Sequence, residues 1–257
     1  MTLYFTIVTF IFGIVFGSFF NVVAYRLPKG ESLVKPASHC TKCNHQLGAS
    51  ELVPIFSYLF LGGKCKNCKA KISPFYTIFE LITGLLFALS YLLFDFSIEF
   101  YIAIIFSSMC VIVFISDYQT MIIPDEVLIT ALVLLMIGVY IKGGFPLLGE
   151  SLLNGLIAFG SMFLIKILGD FLFKKESMGG GDIKLLFIFG FLLGFKMAII
   201  SIFIAAFIAL PVSLIILFTK KSNVIPFGPF LCMSALIIYF LQLDFDKLLD
   251  ILIKSNI

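Results

Sequence analysis

Long apolar runs separated by short polar breaks restrict what this chain can become more than any single motif in it. In hydrocarbon every backbone N–H and C=O must find its partner inside the protein, and about 20 consecutive apolar residues in α-helical form span that layer. Such runs fall at 3–24, 75–94, 98–116, 126–142, 150–173, 183–195, 197–218 and 227–243, the sixth being the shortest. Only 13% of the 257 residues are charged, about half the share of an ordinary soluble domain. The expectation is an all-α polytopic membrane protein with about eight transmembrane helices, in contact with membrane lipid. No Lys or Arg precedes the first run and no small-residue cleavage pattern closes it, so it reads as a retained span rather than a removed leader.

The runs divide the chain into a first helix (1–24), a polar segment (25–74), a seven-helix region (75–243) and a tail (244–257). In that tail charges alternate with Leu and Ile as in an interfacial amphipathic helix. The segment 25–74 carries Arg26, Lys29, Lys35, Lys42, Lys64, Lys66, Lys69 and Lys71, which orients it to the cytoplasm. Alternation then puts the breaks at 117–125, 174–182 and 219–226 on the same side. Lys174, Lys175, Lys220 and Lys221 agree with this, against Lys142 and Lys196 opposite. The amino terminus is thereby outside. A net charge of +3 gives no reason to expect a nucleic-acid partner.

Inside the polar segment, Cys40-Thr41-Lys42-Cys43 and Cys65-Lys66-Asn67-Cys68 are two C-x-x-C knuckles with 21 residues between them. Two tight turns, each presenting two thiolates, are the pattern of a tetrahedral zinc site. The alternatives are disulfides or free thiols, and a cytoplasmic loop disfavours disulfides. Four thiolates leave no open coordination position, so the ion would be structural. The neighbouring lysines would favour thiolate, and His39 and His45 read as bystanders. Cys110 and Cys232 lie within apolar runs and read as small apolar residues.

Carboxylates beside membrane spans are costly and thus point to function. Asp95, Glu99 and Glu176 fall in loops where solvation explains them. Asp117 and Asp182 each adjoin a span on the expected cytoplasmic face, and Asp182 follows Gly179, Gly180 and Gly181. Glycines remove side-chain bulk and widen the backbone's choices, giving a substrate strand access to Asp182. A close carboxylate pair can share a proton, one member activating water and the other protonating a carbonyl. Taken alone, the Gly-Gly-Gly-Asp stretch is explained as well by a loop ending in a helix cap.

Several stretches together resemble one family, the type IV prepilin peptidases, which include bifunctional leader peptidase/N-methyltransferases. They are Gly17-Ser18-Phe19-Phe20-Asn21-Val22-Val23 with Arg26-Leu27-Pro28, both knuckles, Glu51-Leu52-Val53-Pro54, Ser57-Tyr58-Leu59, Gly63-Lys64-Cys65, Ile72-Ser73-Pro74 and Glu80-Leu81. Asp117 with Ile123-Pro124-Asp125, and Gly179-x-Gly181-Asp182-Ile183-Lys184-Leu185, carry the aspartyl signatures. The resemblance implies an aspartic membrane endopeptidase that cuts a basic leader from type IV prepilins or pseudopilins at the cytoplasmic face. It implies Asp117 and Asp182 as the catalytic pair. Gly179, Gly180, Gly181, Asp125 and Lys184 act in support, with Asp125 outside the pair.

The cysteine loop is typical of bifunctional members and so implies methylation of the new amino terminus by S-adenosylmethionine. No G-x-G-x-x-G fingerprint marks a donor site, and Glu80 reads first as a helix-start carboxylate. Ile225-Pro226-Phe227-Gly228-Pro229 fits the family's late region and reads as a proline-broken span lining the site. Two other functions compete: a transporter using Asp117, Asp125 and Asp182 for a cation or protons, and a zinc-stabilised adaptor of a secretion or DNA-uptake machine. Clustering of the acids at one face, without an inverted repeat, opposes the first. The second leaves the glycines and the aspartate placement unexplained.

Overall fold

The apolar runs become helices. A computed structural model of the chain describes residues 1–174, 178–219, 225–245 and 247. In order it has α1 (Thr2–Arg26), a short α2 (Phe56–Phe60), α3 (Phe75–Phe94), α4 (Ile98–Thr120), α5 (Asp125–Phe173), α6 (Gly180–Leu193), α7 (Phe195–Thr219) and α8 (Gly228–Phe240). Among the described residues strand pairing is confined to two isolated bridges in the cysteine segment.

Among the described residues five helices are long and apolar enough to cross a membrane: Thr2–Lys29, Phe75–Phe94, Ile98–Thr120, Asp125–Leu172 and Phe195–Ile215. The expected count of eight is not confirmed, and two features bear on it. The runs 126–142 and 150–173 join into α5, which breaks at Gly144 (φ 67°, ψ −161°) just before Pro146. Positive φ at Gly144 and a residue without an N–H at 146 interrupt the helical ladder there, so two helices meet at a kink. The runs 183–195 and 227–243 give α6 and α8, of 14 and 13 residues, too short for a full span. Lys175, Glu176, Lys220, Lys221 and most of the tail lie outside the described residues.

The chain divides into two compact units, 1–115 and 116–257, with the division inside α4. In the first unit α1 lies against α3 with almost no space between backbones. A methyl group placed on Gly13 would sit 2.8 Å from the Cα of Gly84, and one on Gly17 would sit 2.9 Å from the Cα of Glu80. Small residues four apart permit such contact where water-driven burial is absent. The second unit repeats the device between α5 and α6: a methyl on Gly190 would lie 2.5 Å from Ala158 Cβ and 2.8 Å from the Asn154 carbonyl. Outward faces remain apolar, as at Phe203, Phe207 and Leu210 of α7, which suits hydrocarbon as solvent.

Candidate active site and metal centre

The second unit brings the ends of three helices to one place. Asp117 sits in the last turn of α4, which closes at Met121 in a left-handed conformation (φ 57°). There the Met121 N–H donates to the Asp117 carbonyl at 2.9 Å, and Ser116 Oγ donates to the Ile122 carbonyl at 2.6 Å. These bonds fold the chain back and direct Ile123 inward. A Cβ on Gly181 would meet Ile123 Cβ at 3.0 Å, and one on Gly228 would meet Ile123 Cδ1 at 3.3 Å. The Gly228 N–H itself donates to Asp117 Oδ2 at 3.0 Å. Ile123 therefore ties the starts of α6 and α8 to the end of α4.

Asp182 is the third residue of α6, whose cap is Gly179 (φ −67°, ψ 142°). Its side chain is not the helix cap that the isolated motif would suggest. Instead it is 8% exposed, Asp117 is 6% exposed, and the two are close enough for their charges to repel. Asp125 and Lys184 differ sharply from them. Their side chains are 56% and 52% exposed, and Lys184 Nζ donates to both carboxylate oxygens of Asp125 at 2.7 Å. This ion pair joins the starts of α5 and α6 but is exposed.

The glycines before Asp182 contribute space rather than unusual backbone, because none of the three has a positive φ. Only Gly181 is sterically required: Gly180 has nothing within 4 Å of an added Cβ, and Gly179 has only Asp182 Oδ2, at 3.5 Å.

In the first unit the two knuckles are built alike. Antiparallel bridges His39–Gln46 and Lys64–Lys71 close them. The Cys40 N–H donates to the His45 carbonyl and the Cys65 N–H to that of Ala70, both at 2.9 Å. The residue after each second cysteine is left-handed: Asn44 (φ 55°) and Lys69 (φ 58°). The four sulfurs lie within 4.8 Å of one another, with Cys40–Cys68 at 3.8 Å and Cys43–Cys65 at 3.9 Å. A tetrahedron with Zn–S near 2.3 Å has edges of about 3.8 Å, so the cluster fits zinc.

Backbone N–H groups of Lys42 and Cys43, rather than lysine ammoniums, bring the Cys40 thiol down to about 6. At Cys68 a bond from the Ala70 backbone works the same way, but burial and the other three thiols outweigh it and push the group up to about 11. Thiols this close resist joint ionisation, which a divalent cation would relieve. His45 Nε2 pairs with Glu51 Oε2 at 3.1 Å, and His39 Nδ1 faces the Ala37 carbonyl at 3.0 Å.

Glu80 is buried, and its role differs from the helix-start reading. Its Oε2 accepts the Ile55 N–H at 2.8 Å, and Ser18 also hydrogen-bonds to it. Ile55 (φ 61°, ψ −54°) is the centre of a tight γ-turn closed by the Phe56 N–H on the Pro54 carbonyl at 2.6 Å. That strained turn needs support, and the carboxylate supplies it.

Comparison with known proteins agrees with this geometry. Residues 11–94 match the bacterial peptidase A24 N-terminal domain, and residues 104–214 match the type IV leader peptidase family. The chain is 35% identical to the prepilin leader peptidase/N-methyltransferase of Bacillus subtilis over 90% of this chain and 92% of that protein. The chain belongs to the type IV leader peptidase family. Other relatives of the same name are those of Neisseria gonorrhoeae, 31% identical over 89% of this chain and 88% of that protein, and of Pseudomonas aeruginosa, 29% identical over 90% and 88%. No solved structure matches. The leader peptidase match contains Asp117, Asp125, Asp182 and Lys184 and ends before Gly228.

Proposed function

We propose that this chain is a membrane aspartic endopeptidase that removes the basic leader from type IV prepilins or pseudopilins, with Asp117 and Asp182 as its catalytic pair. One observation carries the reading: two buried carboxylates from different helices stand within repulsive range of each other. Two carboxylates at close range share a single proton near neutrality. The ionised member takes a proton from water as its oxygen attacks the scissile carbonyl carbon. The protonated member gives its proton to the carbonyl oxygen. Collapse of the tetrahedral species then breaks the C–N bond: the member that gave its proton takes one back from a hydroxyl as the carbonyl re-forms, and the proton held by the base goes to the departing amine.

Gly181 lets the start of α6 close on Ile123 beside Asp182, and Asp125 with Lys184 links the starts of α5 and α6 from outside. The lysine-free stretch after Asp117 favours a basic leader. Lysine and arginine distribution supports a topology with both aspartates and the cysteine segment at the cytoplasmic face of a bacterial plasma membrane and the amino terminus outside.

The relatives' shared name supports a second step, N-methylation of the new amino terminus, for which S-adenosylmethionine would supply the methyl group. No residue is assigned to that donor. Zinc on Cys40, Cys43, Cys65 and Cys68 would be structural. The peptidase reading is tested by changing Asp117 and Asp182 singly to Asn and incubating each variant, in membranes, with a prepilin. Leader removal should cease in both, and cleavage by either one would overturn the assignment.

A further inference from the structure

Gly228 contributes to the aspartate site from beyond the residues that the type IV leader peptidase family model matches. It is the first residue of α8, and the N–H groups of a helix's first turn lack partners within the helix. Each of those donors can be traced here. Pro229 has none, while the Phe230 and Leu231 N–H groups both donate to the Phe227 carbonyl. The Gly228 N–H alone is left for a partner outside the helix, and it goes to Asp117 Oδ2 at 3.0 Å, across 111 residues of sequence. The positive end of the α8 dipole therefore faces that carboxylate.

The residue type matters as much as the bond. A Cβ at position 228 would lie 2.6 Å from Asp117 Oδ2 and 3.2 Å from Asp117 Cγ. The third contact, Ile123 Cδ1 at 3.3 Å, can give way by a small rotation, whereas the buried carboxylate has to leave its place and its donor. Gly228 has no left-handed φ, so space at Asp117, not backbone freedom, excludes a side chain.

We infer that Gly228 is a positioning residue of the peptidase site, whose N–H and missing side chain together fix the Asp117 carboxylate in the orientation that faces Asp182. The inference rests on the peptidase reading. A shift of about 1 Å in a reacting group costs about 10²-fold in rate. Gly228→Ala should therefore lower kcat for leader cleavage by about 10²-fold with KM unchanged. Adding Ile123→Val, which removes the Cδ1 contact, should not restore it. Gly160→Ala, at a helical position with open space, should behave as wild type.

Wild-type kcat in Gly228→Ala, or recovery in the double variant, would overturn the inference. Cleavage by Asp117→Asn would instead sink the peptidase reading itself. Should Gly228→Ala fail to fold, glycine-labelled wild-type protein offers a second measurement. The Gly228 amide proton resonance should move in Asp117→Ala and stay in place in Asp125→Asn. An amide signal indifferent to Asp117 would count against the proposal as fully as an active Gly228→Ala.

Discussion

The cysteine centre and the aspartate centre are built in opposite ways. Each knuckle is a local object: a C-x-x-C turn, a left-handed residue after it and one antiparallel bridge, made within eight consecutive residues and then made again. The aspartate centre has no local object at all. Asp117, Asp182 and Gly228 come from the ends of α4, α6 and α8, and the contacts of Ile123 gather them. The first can be weakened at one ligand and remain a recognisable turn. The second exists only while the helices hold their spacing, so packing far from the carboxylates controls it.

The largest effect should separate the two centres. Cys43→Ser with Cys68→Ser removes one ligand from each knuckle, and bound zinc should fall from about one ion per chain to near none by metal analysis. Asp117→Asn should leave zinc content untouched. Zinc retained by the double cysteine variant would show that these four sulfurs are not the ligands.

A smaller effect probes the dependence on packing. Gly190→Ala forces a methyl between α5 and α6, and Gly13→Ala does so between α1 and α3. Overpacking of this kind costs roughly 1–3 kcal/mol. Both variants should lower the thermal midpoint in detergent. Only Gly190→Ala, in the unit that holds both aspartates, should also lower the kcat of leader cleavage. Equal loss of kcat in the two variants would erase the proposed contrast.

The smallest effect concerns the ion pair. Asp125 and Lys184 form two short bonds but are more than half exposed, and exposed pairs contribute about 0–1 kcal/mol. A double-mutant cycle with Asp125→Ala and Lys184→Ala should return a coupling energy in that range. A coupling of several kcal/mol would mean that the pair is shielded in the membrane and acts as a main fastener of α5 to α6.

These contrasts also explain what could be read from the sequence. The cysteine cluster was legible because its geometry is set by spacing along the chain. The left-handed Asn44 and Lys69 were not, since neither is glycine and nothing local marks them. Asp117 and Asp182 stood out as charges at the ends of apolar runs. The contact between Asp117 and Gly228 is invisible to any pattern of period or spacing, because helix packing alone creates it. Gly13-x-x-x-Gly17 was a readable sign of close helix contact that hydropathy alone passes over. Hydropathy likewise separated the two runs that meet at the break at Gly144 and Pro146. Glu80 looked like a dipole partner of its own helix, and its carboxylate instead holds the strained turn at Ile55.

The central claim is that Asp117 and Asp182 work as one unit, and a kinetic double-mutant cycle on leader cleavage tests it most directly. Each single change to Asn should lower kcat by about 10⁴-fold, the upper range for loss of a positioned acid or base. The double variant should be no slower than either single one, as expected for groups that act together. A single variant near wild-type rate, or a double variant slowed by the product of the two losses, would contradict the dyad.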